Sequence, residues 1–241
     1  MYHSLDGTRL PAPVSYHEDA KVPAYLLRHY WWAYVHPKAV KVFDRPWLVN
    51  LILLGNYRRL RNAALAEFTG APLGNVLQVA CVYGDLSPAL ARRAAAQAGM
   101  IDVVDALPIQ LKNLKWKLPA RTPARLLRMD STDMQLPDGR YDRVLLFFLL
   151  HEQPPAERRR TVAEALRVLK PDGKLVIVDY GLPHRCNPLR YLLPPFLKLL
   201  EPFALSLMRE SVAALLPSGL TINCQSYFGG LYRKVVACRA R

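Results

Sequence analysis

Cysteine is scarce in this chain and follows no pattern. Four cysteines occur among the 241 residues, namely Cys81, Cys186, Cys224 and Cys238. They form no Cys-x-x-Cys pair and no Cys/His ligand spacing, so the sequence indicates neither a disulfide framework nor a structural zinc site. A chain that does without disulfides fits a reducing compartment, and we expect a cytoplasmic protein.

Long apolar runs are also missing. The longest are "WLVNLILLG" and "VLLFFLL", which fall well short of the roughly 20 residues that a membrane-spanning helix needs. The first residues, "MYHSLDGTRLPAP", lack the apolar core of a signal peptide. The sequence therefore predicts no membrane-spanning helix.

Acidic residues are few relative to basic ones. The chain has 33 Lys and Arg against 19 Asp and Glu, which gives a formal net charge of +14. Such a charge favours an anionic partner, which could be nucleic acid, an anionic membrane surface or a phosphorylated substrate. The basic residues are spread along the chain without a long block, so most are expected to be solvated surface charges.

From about residue 76 onwards, strand and helix patterns alternate. Five apolar runs have the pattern of strands: "NVLQVACV", "MIDVV", "ARLLRM", "YDRVLLFFLL" and "GKLVIVDY". The first helix is expected to have Ser87 as its N-cap, Pro88 at its first position and its end at Gly99, and a later helix is closed by "KPDG". The spacing predicts an α/β fold with a doubly wound, mostly parallel sheet. The end of the chain instead predicts an antiparallel hairpin that turns at Gly229-Gly230.

Two segments fall outside this alternation. Residues 1–75 are predicted to form a mostly helical N-terminal extension or cap, and residues 76–241 the ligand-binding domain. Residues 181–208 form a proline-broken apolar insertion that carries Lys198 and Glu201. Ligands of such folds bind at the carboxyl edge of the sheet. We expect the extension and the insertion to cover that edge as a lid.

The loop after the first predicted strand is poor in glycine. In "NVLQVACVYGDLSP" only Gly84 remains where a nucleotide-binding loop is usually rich in glycine. Asp105 ends the second strand about twenty residues further on, a spacing that suits a carboxylate binding ribose hydroxyls. Asp130-Ser131 ends the third strand, where an adenine amino group would be reached. The alternative for each acid is a surface residue that closes a strand.

His151 and Glu152 follow the fourth predicted strand. A histidine at this edge can act as a base or a metal ligand, and a neighbouring carboxylate can share either task. Equally, Glu152 could cap the next helix while His151 packs under it. Tyr30 and Tyr34 lie in the aromatic stretch "HYWWAYVHP", which could be core or a flat wall for a planar ring. Tyr57 offers a further hydroxyl group that could bind a substrate.

The order of motifs resembles class I S-adenosylmethionine-dependent methyltransferases over roughly residues 70–241. Their first loop reads Asp-x-Gly-x-Gly-x-Gly, and the matching stretch here is Gln78-Val79-Ala80-Cys81-Val82-Tyr83-Gly84. Asp105 and Asp130 match the ribose-side and adenine-side acids, and "RVLKPDG" matches the usual "RVLKPGG". The resemblance implies a Rossmann-like S-adenosylmethionine-binding domain over residues 76–241.

The chain is more specifically similar to the rhodoquinone-biosynthesis proteins. This similarity rests on the deviant loop together with the stretches "YWWAYVHPKAVKVFDRPW" and "FFLLHEQPPAERRR". This resemblance implies conversion of ubiquinone to rhodoquinone, in which an amino group replaces the ring 2-methoxy group. It also implies S-adenosylmethionine as the amino donor and a requirement for manganese. A conventional quinone or phenol methyltransferase and a non-catalytic subunit that binds quinone or S-adenosylmethionine are the alternatives.

These matches and positions define the candidate site. The expected cofactor-binding residues are Gln78, Val79, Ala80, Tyr83, Gly84, Asp105, Ala106, Asp130 and Ser131. The expected catalytic residues are His151, Glu152 and Tyr83, the expected substrate-binding residues are Tyr30, Tyr34 and Tyr57, and the expected manganese ligands are Asp85, His151 and Glu152. A neutral Gln78 in place of an acid would leave the cofactor amine easier to deprotonate.

A polyprenyl quinone as substrate gives the charge and the apolar insertion a common explanation. Ubiquinone resides in the membrane, so we expect a cytoplasmic protein that docks peripherally on anionic headgroups of the inner membrane. We do not expect nucleic acid as a partner, because "HEQPP" stands where an amine-directed methyltransferase has Asn/Asp-Pro-Pro-aromatic. The sequence leaves the oligomeric state open.

Overall fold

The centre of the molecule is a twisted sheet of seven strands in the order β3-β2-β1-β4-β5-β7-β6. The computed structural model describes residues 22–70, 72–119 and 122–239. The strands are β1 (Asn75–Val79), β2 (Met100–Asp105), β3 (Ala124–Arg128), β4 (Tyr141–Phe147), β5 (Leu169–Tyr180), β6 (Leu220–Tyr227) and β7 (Tyr232–Arg239).

Helices cover both faces of the sheet and its carboxyl edge. The α-helices of the described residues are α1 (Ala24–His29), α2 (Pro37–Phe43), α3 (Pro46–Ile52), α4 (Tyr57–Leu65), α5 (Leu86–Ala96), α6 (Pro108–Lys117), α7 (Pro155–Arg167), α8 (Leu189–Leu200), α9 (Ala204–Arg209) and α10 (Val212–Leu215). A π-helix (Trp31–Val35) and a 3-10 helix (Leu150–Glu152) complete them.

The predicted sheet is confirmed. Strands β1 to β5 pair in parallel, whereas β7 runs antiparallel between β5 and β6. The apolar run of β4 is buried on both faces, so alternate residues enter two cores. Leu145 packs with the core below α4 and α5, and Val144 with the core below α7. The strand order reverses between β1 and β4, which is where ligands bind in such sheets.

The described part of the N-terminal extension is helical, as predicted; residues 1–21 lie outside the described residues. Helix α4 is part of the main core, because Leu60 and Ala64 are fully buried with Leu86 and Leu90 of α5. The π-helix and α1 lie higher, where Tyr30 packs in a small cluster with two residues that follow β2. The extension therefore reaches the carboxyl edge of the sheet.

Three local predictions need correction. Helix α5 begins at Leu86 with Asp85 as N-cap, and it ends at Ala96. Ser87 is not the cap, because its hydroxyl accepts a hydrogen bond from Gln78. "KPDG" is not a separate turn but lies within β5, where the pairing with β4 is irregular.

The prolines of the insertion also behave differently from the prediction. Helix α8 continues through Pro194 and Pro195, and the chain leaves it only at Glu201, the residue before Pro202. A residue that precedes proline is displaced from helical geometry, which explains the break at this point. The helix keeps its apolar character along its whole length and projects Glu201 from its end.

Arg158 ties the insertion to the domain below it. This side chain is fully buried and lies on α7. Its guanidinium donates to the carbonyl oxygens of Leu150 (2.9 Å), Gln153 (3.1 Å) and Phe203 (3.2 Å), to Ser206 Oγ (3.1 Å) and to Glu210 Oε2 (2.6 Å). One cation thus connects the 3-10 helix, α7 and α9.

We expect Arg158→Met to lower the free energy of unfolding by about 3 kcal/mol or more, because it removes the donor of several buried carbonyls and the closer of the two cationic partners of the half-buried Glu210. Urea unfolding measures this change. Arg160→Met on the same helix is the control, because Arg160 is exposed and pairs only with Glu157; it should cost less than about 0.5 kcal/mol. Equal losses in the two variants would contradict the anchoring role of Arg158.

Candidate functional site

A cleft of about 540 Å³ opens above the carboxyl ends of the central strands. The loop after β1 and the ends of β2 and β3 form one side, and the segment around the π-helix forms the second. Helices α3 and α8 form the third side. Most of the lining is aliphatic or aromatic, with a small number of polar groups, which is the usual character of a small-molecule site.

The glycine-poor loop keeps the backbone shape of a glycine loop. Ala80, at the position of the first lost glycine, has a φ of 68°, and Gly84, at the last, has a φ of 85°. Val82, at the middle position, stays outside the left-handed region. Only Ala80 therefore carries the conformational cost of a missing glycine, about 1 kcal/mol. A Cβ on Gly84 would collide with the Tyr57 hydroxyl.

Tyr57 braces the loop from the outside. Its hydroxyl accepts hydrogen bonds from the amides of Asp85 (2.7 Å) and Leu86 (3.0 Å) at the start of α5, and it donates to Asp85 Oδ1 (2.9 Å). Burial raises the pKa of Tyr57 above its usual range, with Asp85 adding to the effect. The ring also borders the cleft. The predicted substrate residue Tyr57 thus holds the helix start in place.

Gln78 supports the same loop from below. It is fully buried, and its Nε2 donates to the Ala80 carbonyl (2.9 Å) and to Ser87 Oγ (2.7 Å). Its Oε1 is buried without a hydrogen-bond partner. Gln78 and the fully buried Val79 are not among the residues that line the cleft. The structure therefore places these two predicted cofactor residues under the loop instead of on its surface.

Asp105 faces the cleft from the end of β2. Its two oxygens accept hydrogen bonds from the backbone amides of Cys81 (2.7 Å) and Leu107 (2.8 Å). Burial raises the pKa of Asp105 to about 6, although these hydrogen bonds oppose the shift. Each carboxylate oxygen can accept a second hydrogen bond. The geometry suits the ribose hydroxyl donors that the sequence predicts here.

Three more of the predicted cofactor residues border the cleft, whereas Gly84 is not among its lining residues. Ala106 follows Asp105, while Asp130 and Ser131 lie beyond β3. Asp130 Oδ1 accepts from the Thr132 amide at 2.8 Å. Ser131 Oγ lies 3.0 Å from Gln153 Nε2, a residue that the sequence analysis did not single out. The structure therefore brings the predicted ribose and adenine sides into one cleft.

Tyr83 joins the loop to the N-terminal extension. Its hydroxyl donates to the Ala33 carbonyl (2.6 Å) and accepts from Gln110 Nε2 (2.9 Å). Its ring lies 5.5 Å from that of Tyr34 and 6.3 Å from that of Phe43, measured between ring centroids. Since both roles of the hydroxyl are occupied, the side chain positions the wall of the cleft rather than presenting a free catalytic group.

His151 is the centre of a buried acid–base cluster. Its Nδ1 lies 2.9 Å from Asp179 Oδ1, while its Nε2 lies 3.8 Å from Glu201 Oε2 and 4.0 Å from Glu152 Oε1. Tyr34 donates a short hydrogen bond to Glu152 Oε1. His151, Glu152, Glu201 and Tyr34 all border the cleft. The structure places the predicted pair beside two further carboxylates, Asp179 and Glu201.

The charges of this cluster shift its pKa values strongly. Burial has the largest effect on His151 and lowers its pKa, but Asp179, Glu201 and Glu152 together outweigh burial and raise it above the usual value. Burial raises the pKa of Glu152 and of Glu201, although His151 opposes both shifts. These shifts favour the protonated form of the His151 imidazole beside Asp179 and the protonated form of the Glu152 carboxyl. Such a cluster can give or take a proton at the cleft.

Asp179 and Glu201, the two further carboxylates of the cluster, differ in how far the sequence pattern could have indicated them. Asp179 is a charged residue that directly follows the apolar run "LVIV" near the carboxyl end of β5, a position that could have indicated a site. Glu201 stands out as an acid in an apolar insertion, but nothing in the pattern placed it beside His151. Tyr30, one of the predicted substrate residues, is buried in the core cluster, with its hydroxyl beside Glu201. It does not line the cleft.

The predicted manganese ligands do not come together. Asp85 forms an ion pair with Arg61 at the start of α5, whereas His151 and Glu152 belong to the acid–base cluster. Within the described residues, no group of three His, Cys, Asp or Glu side chains has an arrangement that could hold a metal ion. The residues present therefore do not fit the predicted metal site. We derive no catalytic step from a metal.

None of the helices in residues 22–70, 72–119 and 122–239 is long and apolar enough to cross a membrane.

Comparisons with known proteins agree with this fold. Residues 76–173 match the family described as "Methyltransferase domain". A chain of known structure, a SAM-dependent methyltransferase from Aquifex aeolicus, is 20% identical with a TM-score of 0.51, over 84% of this chain and 97% of that one. The PH0226 protein from Pyrococcus horikoshii OT3 is 15% identical with a TM-score of 0.56, over 91% of this chain and 100% of that one. The chain therefore has the fold of class I S-adenosylmethionine-dependent methyltransferases.

Curated relatives are more specific. An uncharacterized methyltransferase of Synechocystis sp. is 28% identical and covers 87% of this chain and 94% of its own length. A demethylmenaquinone methyltransferase of Lactiplantibacillus plantarum is 31% identical over 58% of this chain and 59% of its own. The ubiquinone/menaquinone biosynthesis C-methyltransferase UbiE of Stutzerimonas stutzeri is 29% identical over 56% of this chain and 54% of its own.

The raised pKa of Glu152 predicts how stability depends on pH. Because the folded state favours the protonated carboxyl, its contribution is present below the usual pKa of 4.5 and is lost as the pH rises towards about 8. We expect Glu152→Gln to reduce this loss by more than about 1 kcal/mol, the equivalent of one pKa unit. Urea unfolding at pH 5 and pH 8 measures the difference. Asp172→Asn, at an exposed carboxylate, is the control and should leave the pH dependence unchanged; a parallel curve for Glu152→Gln would contradict the prediction.

Proposed function

We propose that this chain binds S-adenosylmethionine in the cleft and transfers a group from it to the ring of a polyprenyl quinone such as ubiquinone. One observation carries the proposal: a single cleft joins the Asp105 side, the acid–base cluster and an apolar mouth between α3 and α8. A flat ring with a long apolar tail needs this combination, with polar groups at one end and aliphatic side chains at the other.

The residues present suit the cofactor. Asp105 would hold the ribose hydroxyls, and Asp130 with Ser131 would border the adenine. The loop from Ala80 to Gly84, with Tyr83 above it, would border the amino-acid end. When bound, S-adenosylmethionine supplies either its methyl group or its amino group. Gln78 lies beneath the loop and outside the cleft lining, and it puts a neutral side chain in place of the usual carboxylate.

Methyl transfer is the reaction favoured by the comparisons. Relatives that match more than half of this chain are named demethylmenaquinone methyltransferase and ubiquinone/menaquinone biosynthesis C-methyltransferase. Methylation of a reduced ring carbon or oxygen releases one proton. Glu201 borders the cleft and lies 3.8 Å from the His151 ring, and its carboxylate would accept that proton.

Conversion of ubiquinone to rhodoquinone is the second candidate, and a specific feature favours it. The loop lacks the acid that normally stabilises the cofactor ammonium, and the neutral Gln78 takes its place. An amine without a neighbouring carboxylate loses its proton more readily, as a nucleophile must. Attack by the amine would form the ring C–N bond and expel the methoxy group as methanol, whose oxygen takes up a proton. Glu152 holds such a proton, because burial raises its pKa to about 8. The quinone ring would then accept two electrons and two protons as the cofactor's Cα–N single bond is oxidised to an imine, and water would hydrolyse this imine to a keto acid and the aminoquinol.

The resemblance to rhodoquinone-biosynthesis proteins also implies manganese, for which the described residues show no ligand set. A quinone substrate further implies a cytoplasmic protein attached peripherally to the inner membrane, and we retain this as part of the proposal. A non-catalytic subunit remains the third possibility, and calorimetry with S-adenosylmethionine tests it directly: without cofactor binding, both transfer reactions fail.

A doubly labelled cofactor distinguishes the two reactions. The protein is incubated with ubiquinone, manganese and S-adenosylmethionine that carries nitrogen-15 in its amino group and carbon-13 in its methyl group. Mass spectrometry of the quinone then shows nitrogen-15 with loss of the methoxy group for amination, or carbon-13 for methylation. We run the same assay with reduced ubiquinone and with a demethylated precursor quinol. An unlabelled quinone in every arm would contradict group transfer altogether.

Gln78 gives the sharper test of amino transfer. We expect Gln78→Asp, and the longer Gln78→Glu, to retain cofactor binding and to lower amination turnover by about tenfold or more, because a carboxylate stabilises the ammonium form. Ser87→Ala is the matched control: it removes the same Gln78 hydrogen bond but leaves the loop neutral. Unchanged turnover in both Gln78 variants, or an equal loss in Ser87→Ala, would reject the electrostatic role.

A further inference from the structure

Helices α3 and α8 expose large apolar side chains on both sides of the cleft mouth. On α3, Trp47 is 61% exposed and Leu51 is 63% exposed. On α8, Leu192 is 62% exposed and Leu199 is 82% exposed. Isolated apolar residues on a surface need no explanation, but adjacent groups on two neighbouring elements indicate an interaction surface.

This apolar surface continues into the cleft. Ile52 and Leu54 near the end of α3, and Phe196 and Leu200 of α8, are exposed and also line the cavity. The rim of the cleft is therefore apolar from the outside to the inside. A polar cofactor or a water-borne polar substrate gains nothing from such a rim, whereas an apolar ligand can cross it without meeting a charged group.

Helix α8 is apolar on almost every side, yet only Leu197 in it is buried. Leu193 and Leu197 face the cleft, and Tyr191, Leu192 and Leu199 face outwards. A helix of this composition is normally covered by other apolar groups on all sides. The outer face of α8 therefore lacks a partner among the described residues.

Basic side chains predominate around the two helices, because the bordering acids are engaged elsewhere: Asp44 pairs with Lys117, and Glu201 lines the cleft. Residues 45–60 and 182–200 contain six basic side chains and no Asp or Glu. These are Arg45, Arg58, Arg59, Arg185, Arg190 and Lys198. Basic residues next to exposed Leu, Phe and Trp form the pattern of a surface that lies in a membrane interface, with the charges at the headgroups. Trp47 is of the residue type that anchors at this depth.

We propose that α3 and α8 form the membrane-docking surface of this protein, with their outer faces in the headgroup layer of an anionic bilayer and the cleft mouth turned towards the lipid. A second copy of the chain would fit this surface less well, because the six basic side chains of one copy would face and repel those of the other. A bilayer satisfies both the apolar faces and the charges. The orientation deepens the proposed function, on which it rests for the nature of the ligand that enters between the helices.

Vesicle binding tests this surface without any quinone or cofactor. The full chain is mixed with vesicles of phosphatidylcholine alone or with phosphatidylglycerol added, and bound protein is separated by flotation. We expect binding to the anionic vesicles that weakens at high salt. Leu199→Glu and Trp47→Glu should each weaken it about tenfold, since each loses a large apolar side chain from the interface and gains a charge.

Trp116→Glu is the matched control. Trp116 is 82% exposed, the same value as Leu199, but it lies near the end of α6, away from the cleft lining. It should change vesicle binding by less than about twofold. All three side chains are largely exposed, so the variants should keep the melting temperature of the parent, which is measured alongside.

Fluorescence gives the orientation independently. Trp31 and Trp32 are changed to Phe, and either Trp47 or Trp116 is kept as the single tryptophan. Lipids brominated on their acyl chains should quench Trp47 and leave Trp116 unquenched. Quenching of Trp116 alone, absence of binding to anionic vesicles, or equal weakening by all three glutamate variants would overturn the proposal. A change from oligomer to monomer in Leu199→Glu, measured by sedimentation, would also overturn it and assign the surface to a second copy.

These results are separable from the enzymatic proposal. Vesicle binding through α3 and α8 without quinone turnover would retain the docking surface and reject the reaction. Turnover of quinone by a protein that never binds vesicles would retain the reaction and reject the docking surface.

Discussion

The carboxylate of Asp179 holds the centre of this molecule in order. Its oxygens accept from the backbone amides of Leu150 (2.9 Å) and Tyr180 (2.7 Å) and contact the ring of His151 (2.9 Å). One buried anion thus fixes the turn after β4, the end of β5 and the orientation of the imidazole. Removal of its charge would leave the imidazole and these amides unpaired in a medium where unpaired polar groups are costly. The shape of the cleft, the position of the 3-10 helix and the protonation of the site all depend on the Asp179 carboxylate.

The N-terminal extension supplies what the loop after β1 lost. Tyr57 accepts from two amides at the start of α5, Asp44 accepts from the Gly84 amide at 2.9 Å, and Tyr83 reaches the carbonyl of Ala33. A glycine-rich loop is held mainly by its own backbone preferences and its ligand. This loop is instead held by side chains of a separate segment, so larger residues can occupy its positions without loss of shape.

The sheet could be predicted from the sequence because its signals are local. The apolar runs of β1 and β4 and the Gly229-Gly230 hairpin each follow from residue type and spacing. The site was only partly predictable. Asp105 and His151 follow strands and could be found, but Glu201 comes from an insertion whose position depends on the buried contacts of Arg158. Ser87 looked like a cap because its partner Gln78, nine residues earlier, cannot be seen in a local pattern.

Because Glu201 follows the last turn of α8, this helix contributes to the site in two ways. Its side chains form the apolar rim, while its last residue brings a carboxylate to 3.8 Å from the imidazole of His151. A shift of α8 by a single residue along its axis would move that carboxylate by about 1.5 Å and alter the affinity of His151 for its proton. A ligand that separates α3 from α8 would therefore also change the pKa of His151 in the cleft behind these helices. The same helix therefore links the entry of an apolar ligand to the proton affinity of His151.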